Sequence, residues 1–165
     1  MSNTYSACKV IFTASGTRVR GFGESDMINV ERDSTKFVKV TGADGRVSRS
    51  HNCDNAGQIQ VTLQQTSEAN DFFSQLLLVD ETTLSGQFAV TITDLNGTTN
   101  IIGADCWLVG PPAVPMGKEI TDRVWTIDVA NLSMYVGGNK NSNLISAGLS
   151  EAASAVGTWV NKVLG

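Results

Sequence analysis

Residues 57–70 read Gly57-Gln58-Ile59-Gln60-Val61-Thr62-Leu63-Gln64-Gln65-Thr66-Ser67-Glu68-Ala69-Asn70, and two structural periods meet in that stretch. From Gly57 to Gln65 the alternation is strict, with Ile59, Val61 and Leu63 on one face and Gln58, Gln60, Thr62 and Gln64 on the other. Period two predicts a strand with one face in a core and the other polar but uncharged. After Ser67, a candidate N-cap, Phe72, Phe73, Leu76 and Leu77 recur at helical spacing. They predict a helix from about Glu68 to Val79, ended near Thr82-Thr83, where β-branched residues and acids at the C-terminal end are unfavourable.

Outward from this junction the chain is mostly strand. Gln87 to Thr93 alternates with Phe88, Val90 and Ile92 inward, turns at Asn96-Gly97 and returns through Thr99 to Val109. Arg123 to Val129 places Trp125, Ile127 and Val129 on one side. Upstream, Cys8 to Thr13 and Thr17 to Phe22 read as strands, and Met27 to Glu31 turns Ile28 and Val30 inward and Asn29 and Glu31 outward. Lys36 to Thr41 and Arg46 to Arg49 flank Ala43-Asp44-Gly45, a strong hairpin signal. His51 to Gly57 is polar and reads as loop, and so does Val109-Gly110-Pro111-Pro112, because proline cannot continue a ladder. The expected core is Ile59, Val61, Leu63, Phe88, Val90, Ile92, Trp107 and Trp125, with Phe72, Phe73 and Leu76 seating the helix.

Gly137-Gly138-Asn139-Lys140-Asn141 reads as a linker, beyond which Ile145, Leu149, Ala152, Val156, Trp159, Val160 and Val163 follow helical spacing. The expected organisation is a body, 1–139, and a helical C-terminal extension, 140–165. The fold class is mainly β, with one flanking α-helix, a long β-hairpin arm over residues 34–56 and a C-terminal helix. The 165 residues suit one domain. The longest aliphatic run, Leu76 to Val79, is far below the roughly 18 residues of a membrane span. Met1 to Thr4 lacks a signal-peptide start, which predicts an unexported protein without a membrane anchor.

Charge narrows the function classes. Twelve Lys and Arg face sixteen Asp and Glu, a net −4, unsuited to gripping nucleic acid through its phosphates. The balance is uneven: residues 1–60 carry a net +2 and 61–165 a net −6, a split that fits copies meeting head to tail and equally a chance distribution over a solvated surface. Cys8, Cys53 and Cys106 are odd in number and widely spaced, which argues against a disulfide framework. His51 is the sole imidazole, so His51-x-Cys53 with Asp54 falls short of a four-ligand zinc site and a nucleophilic triad has only one base to draw on. Carboxylate pairs such as Glu24/Asp26, Asp80/Glu81 and Asp122/Asp128 read as solvated charge, and Gly21-Phe22-Gly23 as a strand bend. No cofactor, metal or catalytic residue is expected, which leaves interaction surface.

The order of features carries a resemblance. The strand-to-helix junction at 57–70, Phe88 to Asp94 with Asn96-Gly97, Ala104-Asp105-Cys106-Trp107-Leu108, Pro111-Pro112, Trp125-Thr126-Ile127 and Gly137-Gly138-Asn139 together resemble the tail tube proteins of contractile-tailed bacteriophages. The resemblance covers roughly residues 20–139. It implies a β-sandwich or barrel flanked by a helix, in a structural and non-enzymatic virion protein of the tail, made in the host bacterial cytoplasm. It implies hexameric rings stacked into a tube inside a contractile sheath, with baseplate and tail terminator proteins as further partners and DNA passing through the lumen without specific binding. On it, Gln58, Gln60, Thr62 and Gln64, with Asn29 and Glu31, are the lumen-facing candidates. Lys36, Lys39, Asp44, Arg46 and Arg49 are the candidates for an inter-subunit arm. The tube of a phage-like particle or of a type VI secretion apparatus is the alternative within this architecture. A monomeric binding module is the alternative outside it, and three Trp and two Tyr are few for a binding patch.

Overall fold

The computed structural model describes residues 4–139. Nine strands and one helix follow in order: β1 Val10–Ala14, β2 Thr17–Val19, β3 Ile28–Arg32, β4 Phe37–Thr41, β5 Val47–His51, β6 Gly57–Gln64, α1 Ala69–Thr83, β7 Phe88–Asp94, β8 Asn100–Leu108 and β9 Asp122–Tyr135. Seven strands form one sheet in the order β2-β1-β7-β8-β9-β6-β3, and β4 and β5 form a sheet of their own. The mainly β architecture with one helix is as the sequence implies. The described residues divide into two compact units, Phe12–Thr91 with Ile102–Ser133, and 4–11 with Ile92–Ile101 and 134–139. The expected C-terminal extension and its helix lie outside the described residues.

The larger unit is organised by β6. Its antiparallel register with β9 sets Ile59 opposite Ile127 and Val61 opposite Trp125, so the inward sets of both strands coincide. Ile59, Val61, Leu63 and Ile127 are wholly buried and Trp125 nearly so. Each aliphatic side chain so placed contributes about 1.5–3 kcal/mol relative to an exposed one. α1 packs here through Phe73, which is fully buried and 5.5 Å from the Trp125 ring, while Phe72 and Leu76 are half-buried. The Trp125 indole donates to Asn70 Oδ1 at 3.0 Å, and Asn70 Nδ2 donates to the Gln64 and Ser67 carbonyls, tying strand end to helix start. Glu68 occupies the cap position with helical backbone, yet Ser67 Oγ still accepts the Ala69 N–H at 3.2 Å.

Several boundaries differ from the sequence expectation. α1 extends past Val79 and stops at Thr83, where the Thr82-Thr83 stop is expected; the Thr82 and Thr83 hydroxyls donate back to the Leu78 and Val79 carbonyls, and left-handed Leu84 ends the helix. Ala7–Lys9 is a short 3-10 turn, so the first strand begins at Val10 rather than Cys8. β2 stops at Val19, and Gly21, at φ 81°, turns the chain so that Phe22 bridges to Leu63. A side chain at Gly21 would also collide with Ser67 Oγ, so the bend read from Gly21-Phe22-Gly23 depends on glycine. His51 belongs to β5, paired with Phe37, rather than to the loop expected from His51 to Gly57.

The expected core residue Trp107 is only half-buried, while Cys106 and Leu108 are buried. Asp105 is left-handed at φ 55°, which adds a step to the pleat of β8 and exchanges the two faces beyond it. Phe88, Val90 and Ile92 are buried as the alternation implies.

Candidate functional site

The outward face of three adjacent strands gathers every candidate of the polar face. Register places Asn29 opposite Gln60 and Glu31 opposite Gln58 on one side of β6, and Asp128, Thr126, Val124 and Asp122 opposite Gln58, Gln60, Thr62 and Gln64 on the other. Residues directly opposite share a face, so these ten positions form one surface. It carries three acids, Glu31, Asp122 and Asp128, and neither lysine nor arginine. Gln60 and Gln64 are exposed, and Gln58 and Thr62 half-buried. Gln58 Nε2 donates to Asp128 Oδ1 at 3.3 Å, and Asn29 Nδ2 to Glu31 Oε1 at 3.2 Å. The β9 members escaped the sequence reading, although the alternation that identified Trp125, Ile127 and Val129 as core fixes their neighbours as the outward set.

Between β3 and β6 the chain departs into the β4–β5 arm. All ten strand residues are exposed. The tip closes as Gly42 donates to the Arg46 carbonyl at 2.8 Å, with Gly45 left-handed at φ 81° and Asp44 Oδ1 accepting the Arg46 N–H. Lys39 lies directly opposite Arg49, whose guanidinium stands 4.3 Å above the Phe37 ring. Lys36 is placed at the root, where its ammonium donates to the Asn52 and Asp54 carbonyls and to Asn55 Oδ1. There Asp54 accepts the Ala56 N–H and the Ser34 hydroxyl. These bonds, the Ala56 N–H first, hold its carboxyl below the usual range.

Groups with intrinsic reactivity are scattered. His51 Nδ1 lies 3.9 Å from Cys53 Sγ on the exposed arm, and among the described residues no three His, Cys, Asp or Glu side chains converge as metal ligands would. Cys106 is buried, and burial pushes its thiol up to about 11, which keeps it protonated and inert. What the surfaces offer is a cation-free face on β3, β6 and β9 and an exposed basic ribbon.

The family model for the bacteriophage PhiTE tail tube protein matches residues 3–137. The chain belongs to that family. It is therefore a tail tube protein, a structural component of the phage tail, and the resemblance to the tubes of contractile-tailed phages is borne out. Structural protein ORF10 of Pseudomonas phage KPP10 is 28% identical over 139 residues, 83% of this chain and 79% of that protein. In fold, the tail tube protein is similar to the tube-terminating cap of the anti-feeding prophage, with TM-score 0.52 and 10% identity over 82% of this chain and 93% of the other. It is similar too to a chain of the sheath-tube complex of the extracellular contractile injection system PVC, with TM-score 0.51 and 11% identity over 81% and 92%.

Proposed function

We propose that this tail tube protein assembles into hexameric rings that stack into the inner tail tube, with the β3-β6-β9 face lining the lumen. A contractile sheath surrounds the tube, baseplate and terminator proteins bound its two ends, and DNA leaves through it. Assembly takes place in the host cytoplasm, and the role is structural rather than catalytic. Residues 1–139 form the tube-building body, and 140–165 are an extension of it.

The observation that carries this reading is the charge of the face: three acids and no cation over ten positions on three strands. A phosphate backbone is held wherever lysine or arginine neutralises it. An acidic and amide-rich wall repels it weakly and offers it no anchor. Pairing strand edges between copies also removes the exposed edges that an isolated sheet would present.

Negative-stain electron microscopy of the purified, concentrated protein tests the assembly. Hollow tubes or stacked rings are expected, with six-fold averages, and rings or tubes of another symmetry overturn the hexamer. The lumen assignment is tested by Gln60→Lys with Gln64→Lys in the virion. Tubes should form and DNA ejection should slow, whereas normal ejection removes these residues from the lumen.

A further inference from the structure

Arg123 occupies an inward position of β9. The alternation that buries Trp125, Ile127 and Val129 puts it on the same side, opposite Leu63, and it is only 7% exposed. Its guanidinium donates to Thr121 Oγ1 at 2.7 Å. Among the described residues no sealed side-chain nitrogen lacks a partner, so its remaining donors open onto the groove of about 500 Å³ that it lines. Leu77 and Leu78 of α1, Pro111, Pro112 and Val114 of the loop after β8, and Trp125 form the apolar walls, and exposed Glu81 lines the groove as well. The amide oxygens of Gln65 and Asn70 in the same groove are taken by the Thr121 N–H and the Trp125 indole. A buried guanidinium is costly until an anion joins it, and its planar fork suits a carboxylate. An occupant of this groove therefore has to bring a carboxylate for Arg123, a cation for Glu81 and apolar side chains for the walls.

The loop between β8 and β9 carries a segment of that kind. After Pro115 the chain reads Met116-Gly117-Lys118-Glu119-Ile120, exposed throughout, with Met116 and Ile120 82% and 70% exposed. Its two ends are tied together at the base, where Thr121 Oγ1 donates to the Pro115 carbonyl at 3.0 Å and the Thr121 N–H to Gln65 Oε1 at 3.3 Å. The segment is thus a fastened loop tip, with a base and an acid side by side between two large apolar side chains. None of its residues lines the groove of its own copy.

Resting on the tube reading above, we propose that the Met116–Ile120 tip of one copy seats in the α1–Pro112 groove of the next. Glu119 meets Arg123, Lys118 meets Glu81, and Met116 and Ile120 cover the apolar walls. The contact joins unlike surfaces of identical chains, so each copy gives its tip to one neighbour and receives a tip from another. The buried guanidinium gains its counter-ion only on association, so this pairing favours assembled over free chains.

The test uses tails purified from phage whose tube chain carries Leu78→Cys and Met116→Cys in a Cys8→Ser, Cys53→Ser background, in which Cys106 is buried. After mild oxidation a non-reducing gel should show a ladder of covalent multimers, about tenfold stronger than with either new cysteine alone, since only thiols held close can bridge. Unbridged monomer from intact tails overturns the docking and leaves the tube reading standing. Monomer bridged within itself overturns it in favour of a tip that closes on its own groove, and dimer without higher multimers in favour of like surfaces meeting. A charge exchange at two exposed positions gives a second readout. Lys118→Glu should lower tail yield about tenfold and Glu81→Lys should restore it, as expected for a charge pair across an interface. No recovery overturns that pairing, and this exchange decides if the double-cysteine chain yields no tails. Glu119→Gln should lower the yield in the parent but add nothing beside Arg123→Met, whereas additive losses overturn the carboxylate contact. Tails that lack the chain altogether remove the tube reading, and the docking with it.

Discussion

Strand β6 and the β4–β5 arm are neighbours in sequence and both fully extended, yet they are stabilised in different ways. In β6 every second side chain is buried, and the strand is paired on both edges, to β3 and to β9. In the arm all ten strand residues are exposed and each strand has one free edge. Burial dictates the conformation of the first. The second is held by its tip and by the bonds at its root, and its side chains stay exposed. Valine thus has two settings here: Val61 is a core residue and Val40 an exposed one.

The same substitution at these two positions gives the largest contrast. Val61→Asp places an unpaired charge in a fully buried site and should cost more than about 4 kcal/mol, enough to prevent folding. Val40→Asp should change stability by less than about 0.5 kcal/mol, since surface substitutions rarely do more. Urea titration followed by circular dichroism measures both, and similar midpoints would erase the distinction.

A second effect is tied to the interior. The Cys106 thiol is raised in the folded state, so above its ordinary value of 9.0 the unfolded chain ionises first and releases its proton. Stability should therefore fall as pH rises from 9 towards 11, by at most about 1.4 kcal/mol per pH unit. Cys106→Ala should flatten that limb. Trp125→Phe keeps an aromatic ring but loses part of the indole's volume and leaves Asn70 Oδ1 without its donor, and should cost about 1–2 kcal/mol. Asn70→Ala in addition should then cost less than it does alone, a coupling that a double-mutant cycle reads.

How legible each element was in the sequence follows from how regularly its side chains alternate. β6 keeps one phase over eight residues, so its two faces could be read directly. β8 changes phase at Asp105, and an aspartate that adopts a left-handed backbone looks, in sequence, like any outward acid. The alternation accordingly puts Trp107 in the core, and it is half-buried instead. β9 has a similar break, with Ala130 and Asn131 both exposed before buried Leu132, which hid its extension to Tyr135. The polar face was legible one strand at a time. Its charge was not, because Asp122 and Asp128 join Glu31 on one surface only through the β3-β6-β9 register, a long-range property.

The root of the arm has a mechanical consequence. Lys36 grips the Asn52 and Asp54 carbonyls, Asp33 donates to the Ala56 carbonyl and Arg32 reaches the Leu132 carbonyl, so the arm is clamped to the ends of β3, β6 and β9 rather than hinged on them. A pull on the tip is carried into those three strands with little slack. A ribbon mounted this way acts as a lever on the sheet, so a load on its tip would register as a change in the spacing of β3, β6 and β9.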